Sequence, residues 1–218
     1  MSDTSHLKIA DLFPGRWDRN YVSAKLRTDP LYSALEKEFR DSELPLLDLG
    51  CGLGLLAFFL RSKNISVPIL GLDYDSRKID SARQVATASK LRDLVFSHHD
   101  ARSGLPDHSG NVSILDILQF FTEEEQAKLL RLAADRVAPG GKLVIRSGLR
   151  DDSFRYRITV LGDLLAKATR WMKAAPTHYP TSPDFHQILA PFGHVEITPL
   201  WGGTPFNNHL IVLKRSIA

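Results

Sequence analysis

The sequence predicts an α/β fold: a doubly wound sheet, parallel for most of its width, with helices on both faces. Three observations predict it. Short β-branched or leucine-rich runs alternate with helical patterns from about residue 45 onward. Those runs are apolar almost throughout, as strands covered on both faces are. The last two runs have no helix-length segment between them, so they pair antiparallel.

The strand candidates in order are Leu46–Leu49, Ile69–Asp73, Leu94–Ser97, Val112–Ile117, Lys142–Ile145, Val195–Trp201 and Leu210–Leu213. A helix, Leu55 to Arg61, follows the first run. After the second, Ile79, Ala82, Val85 and Ala86 share a helical face, and after the fourth Leu129, Leu130, Ala133 and Val137 do. The latter helix starts at Thr122, with Glu125 completing a capping box, and Pro139-Gly140-Gly141 stops it. Ahead of the first strand, Tyr21 to Phe39 is helical with a break near Asp29-Pro30. Beyond the fifth, Asp152 to Lys173 reads as a helix with Ile158, Leu161, Leu164, Leu165, Ala168, Trp171 and Met172 broadly on one side. Arg155, Arg157, Lys167 and Arg170 fall mostly elsewhere. That pattern suits a core-packing helix with solvated arginines better than a surface-docking one.

Length and composition narrow the class. The 218 residues suit a single domain able to bury its own core. A lone cysteine, Cys51, excludes an intrachain disulfide and fits a reducing compartment. The N-terminus, Met1 to His6, is polar and lacks the apolar centre of a signal peptide. No apolar run reaches the roughly 18 residues of a membrane span. The expectation is a cytoplasmic protein without a transmembrane segment. A net charge of +3, with no concentrated basic stripe, gives no reason to expect nucleic-acid binding.

The chemistry concentrates at Leu46-Leu47-Asp48-Leu49-Gly50-Cys51-Gly52-Leu53-Gly54. A buried strand ends in alternating glycines and leads straight into a helix. Such a turn lets backbone approach a ligand closely and offers unpaired N–H groups at the helix start. Asp48 is a carboxylate in an apolar run and needs a partner, which a cationic amino group of a ligand supplies. Asp73 ends the next strand about 20 residues on, where an acid holds ribose hydroxyls. Asp100 follows the third strand and Asp116 closes the fourth. Four carboxylates thus gather toward the C-terminal edge of consecutive strands, where open α/β sheets bind ligands.

These residues resemble the signature of class I S-adenosylmethionine (SAM)-dependent methyltransferases over residues 45 to 147. Asp48, Gly50, Gly52 and Gly54, with Cys51 between them, resemble the motif that wraps the methionine portion of SAM. Gly71-Leu72-Asp73-Tyr74-Asp75 resembles the ribose-binding motif, with Asp73 on the diol and Tyr74 beside it. Asp100-Ala101 resembles the adenine site, and Asp116 to Gln119 the segment that closes the cofactor pocket beside the acceptor. The resemblance implies SAM as cofactor and a Rossmann-like, seven-stranded mixed sheet of order 3-2-1-4-5-7-6 with its last strand antiparallel. It also implies a division into a helical cap (1–44), a SAM-binding core (45–147) and an acceptor-side insertion with the final two strands (148–218).

Two other functions compete. Gly52-x-Gly54-x-x-Ala57 satisfies a nicotinamide-dinucleotide fingerprint, yet Asp48 would repel a pyrophosphate there. A non-catalytic SAM-binding protein would keep the same motifs. Methyl transfer needs no enzyme nucleophile, so Cys51 reads as a small residue filling a tight turn. His99, His178 and His186 are candidates for a base; His178, His186 and His194 are evenly spaced but fall in a proline-broken stretch, so no helical face joins them into a metal cluster. Arg146-Ser147 stands where a magnesium-dependent subtype would carry an Asp-Asn pair. Arg27 is a candidate for the cofactor carboxylate. The tail from Pro199 to Asn208 is similar to methyltransferases of bacterial aryl-polyene-type pathways. That likeness implies a small-molecule acceptor with a phenolic head group, carried by an acidic carrier protein, and a pocket lined by Asn207 and Asn208.

Overall fold

The computed structural model describes residues 5–168 and 176–216. Seven strands form one sheet in the order β3-β2-β1-β4-β5-β7-β6, as expected. The chain divides into two compact units, residues 1–101 and 102–218.

The first unit carries α1 (Ser5–Asp11), α2 (Arg16–Thr28), α3 (Leu31–Phe39), β1 (Leu46–Leu49), α4 (Leu55–Ser62), β2 (Ile69–Asp73), α5 (Ser76–Ala88) and β3 (Leu94–His98). β1 pairs with β2, and β2 with β3, both parallel. Every residue of β1 is buried, so a run with no polar face makes a central strand. The expected break at Asp29-Pro30 separates α2 from α3, where the Asp29 carboxylate accepts the Leu31 N–H at 3.0 Å. Helix α1 was not anticipated. Phe13, fully buried just beyond it, meets Phe58 of α4 edge-on. The core of this unit is Phe13, Phe39, Phe58, Phe96 and the leucines of β1 and α4.

The second unit carries β4 (Asn111–Leu115), α6 (Glu123–Asp135), β5 (Lys142–Gly148), α7 (Phe154–Ala168), α8 (Ser182–Leu189), β6 (His194–Pro199) and β7 (Asn208–Lys214). β4 and β5 are parallel, and β7 runs antiparallel to both β5 and β6. The capping box at Thr122 and Glu125 forms as expected. A buried Asn111 side chain accepts the Lys142 N–H at 3.0 Å and ties β4 to β5.

Three elements differ from the sequence reading. β4 ends at Leu115 rather than Ile117, because Asp116 turns out of the strand with φ 61°. A helix α8 occupies a stretch that its prolines made look broken. Pro183 lies in its first turn, where a missing N–H costs nothing, and Asp184 closes a capping box with Thr181. On α7 the expected apolar stripe fails at Leu161, which is 57% exposed. Thr159 on the same helix is buried, and its hydroxyl accepts the Asn207 N–H at 2.8 Å. Trp171 and Met172 of the predicted stripe, with Arg170 and Lys173, lie outside the described residues, as do the side chains of Leu164, Leu165 and Ala168.

Candidate active site

In the first unit the glycine turn is stitched to β2. The N–H groups of Gly50 and Cys51 both donate to the Leu72 carbonyl, at 2.7 and 3.0 Å. Gly50, Gly52 and Gly54 all hold left-handed φ angles of 74°, 56° and 75°. At Gly54 the constraint is doubled, since a Cβ would stand 2.7 Å from the Phe96 ring. Only glycine lets the chain turn there and enter α4 against that ring.

Asp73 is the last residue of β2 and is 6% exposed. Its two carboxylate oxygens each accept one backbone N–H at 2.8 Å, from Gly52 and from Asp75. Each oxygen has a second lone-pair direction, so the carboxylate is held rigid with capacity for a vicinal diol. Asp48 is 2% exposed, and Tyr74 is 45% exposed beside Asp73. The His99 N–H donates to the Asp73 carbonyl at 3.0 Å, which fixes the turn leading to Asp100 and Ala101. Asp100 is exposed. Cys51 is buried, and its burial, with the charges of Asp48 and Asp73 adding to it, pushes the thiol well above its ordinary value. It is therefore a neutral filler, in line with the sequence reading. Arg27 is exposed on α2.

The second unit places its polar groups at the end of β5. Arg146, 8% exposed, donates from Nε to the Asp116 carboxylate at 2.5 Å, and the Asp116 N–H returns to the Arg146 carbonyl at 3.1 Å. The buried Gln126 amide donates to the carbonyls of Leu118, Phe121 and His178 at 2.8, 3.2 and 2.9 Å. It thereby ties the turn after β4 to the segment before α8. His178 is held in that segment and is part-buried, while His186 is exposed on α8. The candidate histidines are not brought together. Among the described residues no cluster of metal-ligating side chains occurs.

A Cβ at Gly148, the last residue of β5, would lie 3.1 Å from Thr159 Cγ2, 3.8 Å from Tyr179 Cδ1 and 3.9 Å from Asn208 Oδ1. Tyr156 meets Tyr179 edge-on, with ring centroids 5.5 Å apart. Asn207 is 1% exposed, and its amide is spent on the Leu149 carbonyl and the Asp151 carboxylate at 2.8 and 2.9 Å. The Asn208 side chain makes no hydrogen bond among the described residues. His209, which the sequence reading passed over, is the second residue of β7 and pairs with Ser147 of β5. Only the antiparallel course of β7 brings its N-terminal end to this edge, and that was the signal available.

A methyltransferase-domain family model matches residues 40–193 of the chain. The chain belongs to the class I SAM-dependent methyltransferases. The match decides against the nicotinamide reading, and SAM is the cofactor of that family. The methyltransferase is 28% identical over 100 residues to ribosomal protein L11 methyltransferase of Burkholderia vietnamiensis, a stretch covering 46% of this chain and 30% of that protein. It is 25% identical over 159 residues to a tRNA N(3)-methylcytidine methyltransferase of Schizosaccharomyces pombe, covering 67% of this chain and 64% of that one. The chain thus spans less than a third of the first relative's length and just under two thirds of the second's. An O-methyltransferase family protein from Burkholderia thailandensis superposes with a TM-score of 0.71 at 20% identity, over 92% of this chain and 59% of that one. The magnesium protoporphyrin IX methyltransferase of Synechocystis PCC 6803, solved with S-adenosylhomocysteine (SAH) bound, gives 0.66 at 16% identity over 93% and 88%. Both likenesses are of fold. Among the described residues no helix is long and apolar enough to cross a membrane.

Proposed function

We propose that this methyltransferase alkylates a small aromatic acceptor carrying a phenolic hydroxyl. The observation that carries the reading is the end of β5. There a side-chain-free Gly148 lies beside the Tyr179 ring and the uncommitted Asn208 amide, with Tyr156 edge-on to Tyr179. Aromatic walls with one amide suit a flat ring bearing a hydroxyl, since rings pair edge-to-face and the amide donates or accepts. The fold likeness to an O-methyltransferase family protein adds support.

The chain's own residues divide the work. Asp48 and the turn from Gly50 through Cys51 and Gly52 to Gly54 hold the methionine end of the cofactor. Asp73 holds the ribose, with Tyr74 flanking it, and Asp100 with Ala101 meets the adenine. Asp116, braced by Arg146, borders the acceptor. When bound, the cofactor supplies an activated methyl group. What remains for the protein is alignment and exclusion of water.

Incubation with radiolabelled SAM and phenol, catechol or 4-hydroxybenzoate, beside tRNA, ribosomal protein and a carrier-linked phenol, tests the proposal. Label recovered in a methyl ether of a free phenol is the expected result. Label in tRNA or ribosomal protein overturns the small-molecule reading. Label only in the carrier-linked phenol keeps the ring chemistry and adds the acidic carrier as partner.

A further inference from the structure

We infer that Lys78, in the first turn of α5, is a further cofactor-binding residue, whose ammonium donates to the ribose hydroxyl oxygens that Asp73 holds from the other side. The inference rests on the reading of Asp73 as the ribose holder and adds the donor which that carboxylate cannot supply. Lys78, Asp73, Gly52 and Cys51 all belong to the first unit.

The need for a donor follows from counting hydrogen bonds. The Gly52 and Asp75 N–H groups each occupy one Asp73 oxygen, and each oxygen can accept one more proton. A vicinal diol supplies those two protons. Its own oxygens then still carry lone pairs, and a carboxylate has no proton to give them. Where the cofactor displaces water, an acceptor without a donor is costly. An ammonium has three N–H donors and no acceptor, so it fits that gap.

The local structure brings Lys78 to it. Helix α5 begins at Ser76, with the Asp75 side chain capping it at the Arg77 N–H, and the Lys78 N–H donates to the Asp75 carbonyl at 3.0 Å. The Lys78 stem lies along the glycine turn: a Cβ at Gly52 would stand 4.0 Å from Lys78 Cδ. The same Gly52 gives its N–H to Asp73 Oδ2 at 2.8 Å. Stem and carboxylate thus flank one residue. Lys78 is half-buried, and its charge is felt inside the turn. Burial raises the Cys51 thiol, Asp48 and Asp73 add to the effect, and the Lys78 cation opposes them. Its neighbour Arg77 is paired with the Asp75 carboxylate at 3.8 Å, whereas Lys78 Nζ makes no hydrogen bond or ion pair among the described residues. SAM offers one other acceptor of suitable charge, the methionine carboxylate. Asp48, read as holding that end, belongs to β1, while Lys78 follows β2 together with Asp73. The ribose is therefore the favoured partner.

Calorimetric titration of SAH and of its 2′-deoxy and 3′-deoxy analogues into wild type and Lys78→Met tests the assignment. Methionine keeps an apolar stem and removes the donors. The variant should bind SAH about tenfold or more weakly, the range of a hydrogen bond to a charged group. That loss should disappear for at least one deoxy analogue. An unchanged SAH affinity, or the same loss for all three ligands, overturns the inference. 5′-Methylthioadenosine, which lacks the methionine carboxylate, should lose as much as SAH does. A loss that vanishes with it gives Lys78 to the carboxylate and overturns the ribose assignment. Wild type that binds both deoxy analogues as tightly as SAH refutes the ribose reading of Asp73, and the inference falls with it. A loss of SAH binding in Asp73→Ala with none in Lys78→Met refutes the lysine alone. Wild-type protein gives a second measure that needs no variant: acetic anhydride labelling read by peptide mass mapping. SAH should slow acetylation of Lys78, and an equal rate with and without SAH overturns the inference.

Discussion

Asp73 holds the cofactor turn through single atoms: one carboxylate oxygen takes the Gly52 N–H and the other the Asp75 N–H. Asp73→Asn turns one of those acceptors into a donor facing a donor. Asp73→Ala removes both acceptors and the diol site, so the melting-point rise with SAH disappears, while the wild type gains about 2.7 kcal/mol at 100 times the dissociation constant. For a chain of this size that is roughly 5–11 °C, read by thermal unfolding. A variant that still shifts with SAH would remove Asp73 from the binding site. Cys51 has an equally definite expectation. Its raised thiol and burial leave it unreactive toward a disulfide reagent in the native protein at neutral pH, and reactive once unfolded. Rapid native labelling would contradict the geometry. At this scale the sequence was legible where chemistry demands an unusual residue in an apolar run, as at Asp48 and Asp73. It was silent on Arg146 and His209, because an arginine or a histidine near a strand end declares its partner only when β4, β5 and β7 are laid side by side.

The elements show how a pattern of small residues encodes a close approach. Gly71, in the middle of β2, has no room for a Cβ, which would meet Phe96 Cδ1 at 2.7 Å and Cys51 Sγ at 2.9 Å. Gly71→Ala destabilises the enzyme by about 1–3 kcal/mol, the range of overpacking a filled core, measurable by urea unfolding. Replacement of Phe96 by leucine in the same chain should recover part of the loss, and no loss at all would refute the contact. Gln126→Leu, a similar volume without donors, leaves the Leu118, Phe121 and His178 carbonyls without their side-chain donor. It costs about 1–3 kcal/mol and loosens the 176–180 segment, visible as faster amide exchange at Thr177 and His178. The strand positions were legible because buried parallel strands must be apolar on both faces, and α6 because its capping box is local in sequence. Helix α8 was misread because a proline was taken as a break when it stood in a first turn. On α7 the apolar pattern did not register Thr159, which is buried with its hydroxyl accepting the Asn207 N–H, while Leu161 is exposed.

Across the whole molecule, stability should depend on pH through two histidines. Burial lowers His108, against the Asn111 carbonyl and with Arg136 adding to the effect, and burial lowers His209. Both bind protons less tightly folded than unfolded, so the unfolded chain takes up more protons once the pH drops below about 6.5. Stability is full above that value, falls as the pH descends toward the folded values, and levels off below them. Melting curves between about pH 7.5 and about pH 5.5 should slope less steeply in the His108→Gln, His209→Gln double variant than in wild type. An equal slope would exclude these two groups as the cause. The global topology was readable from the rhythm of the segments, and the division at Ala101 was not, since it depends on packing density rather than on any local signal. The strand order also carries a consequence for biosynthesis. β6 is hydrogen-bonded to β7 and to no other strand, yet it is translated first. As it emerges from the ribosome it has no sheet to join, and β5 still has an open flank. A nascent chain halted before Asn208 therefore displays the flank of β5 and the whole of β6 unpaired, the form most prone to capture by chaperones or by its own copies. The final strand covers the β5 flank and the inner edge of β6 at once.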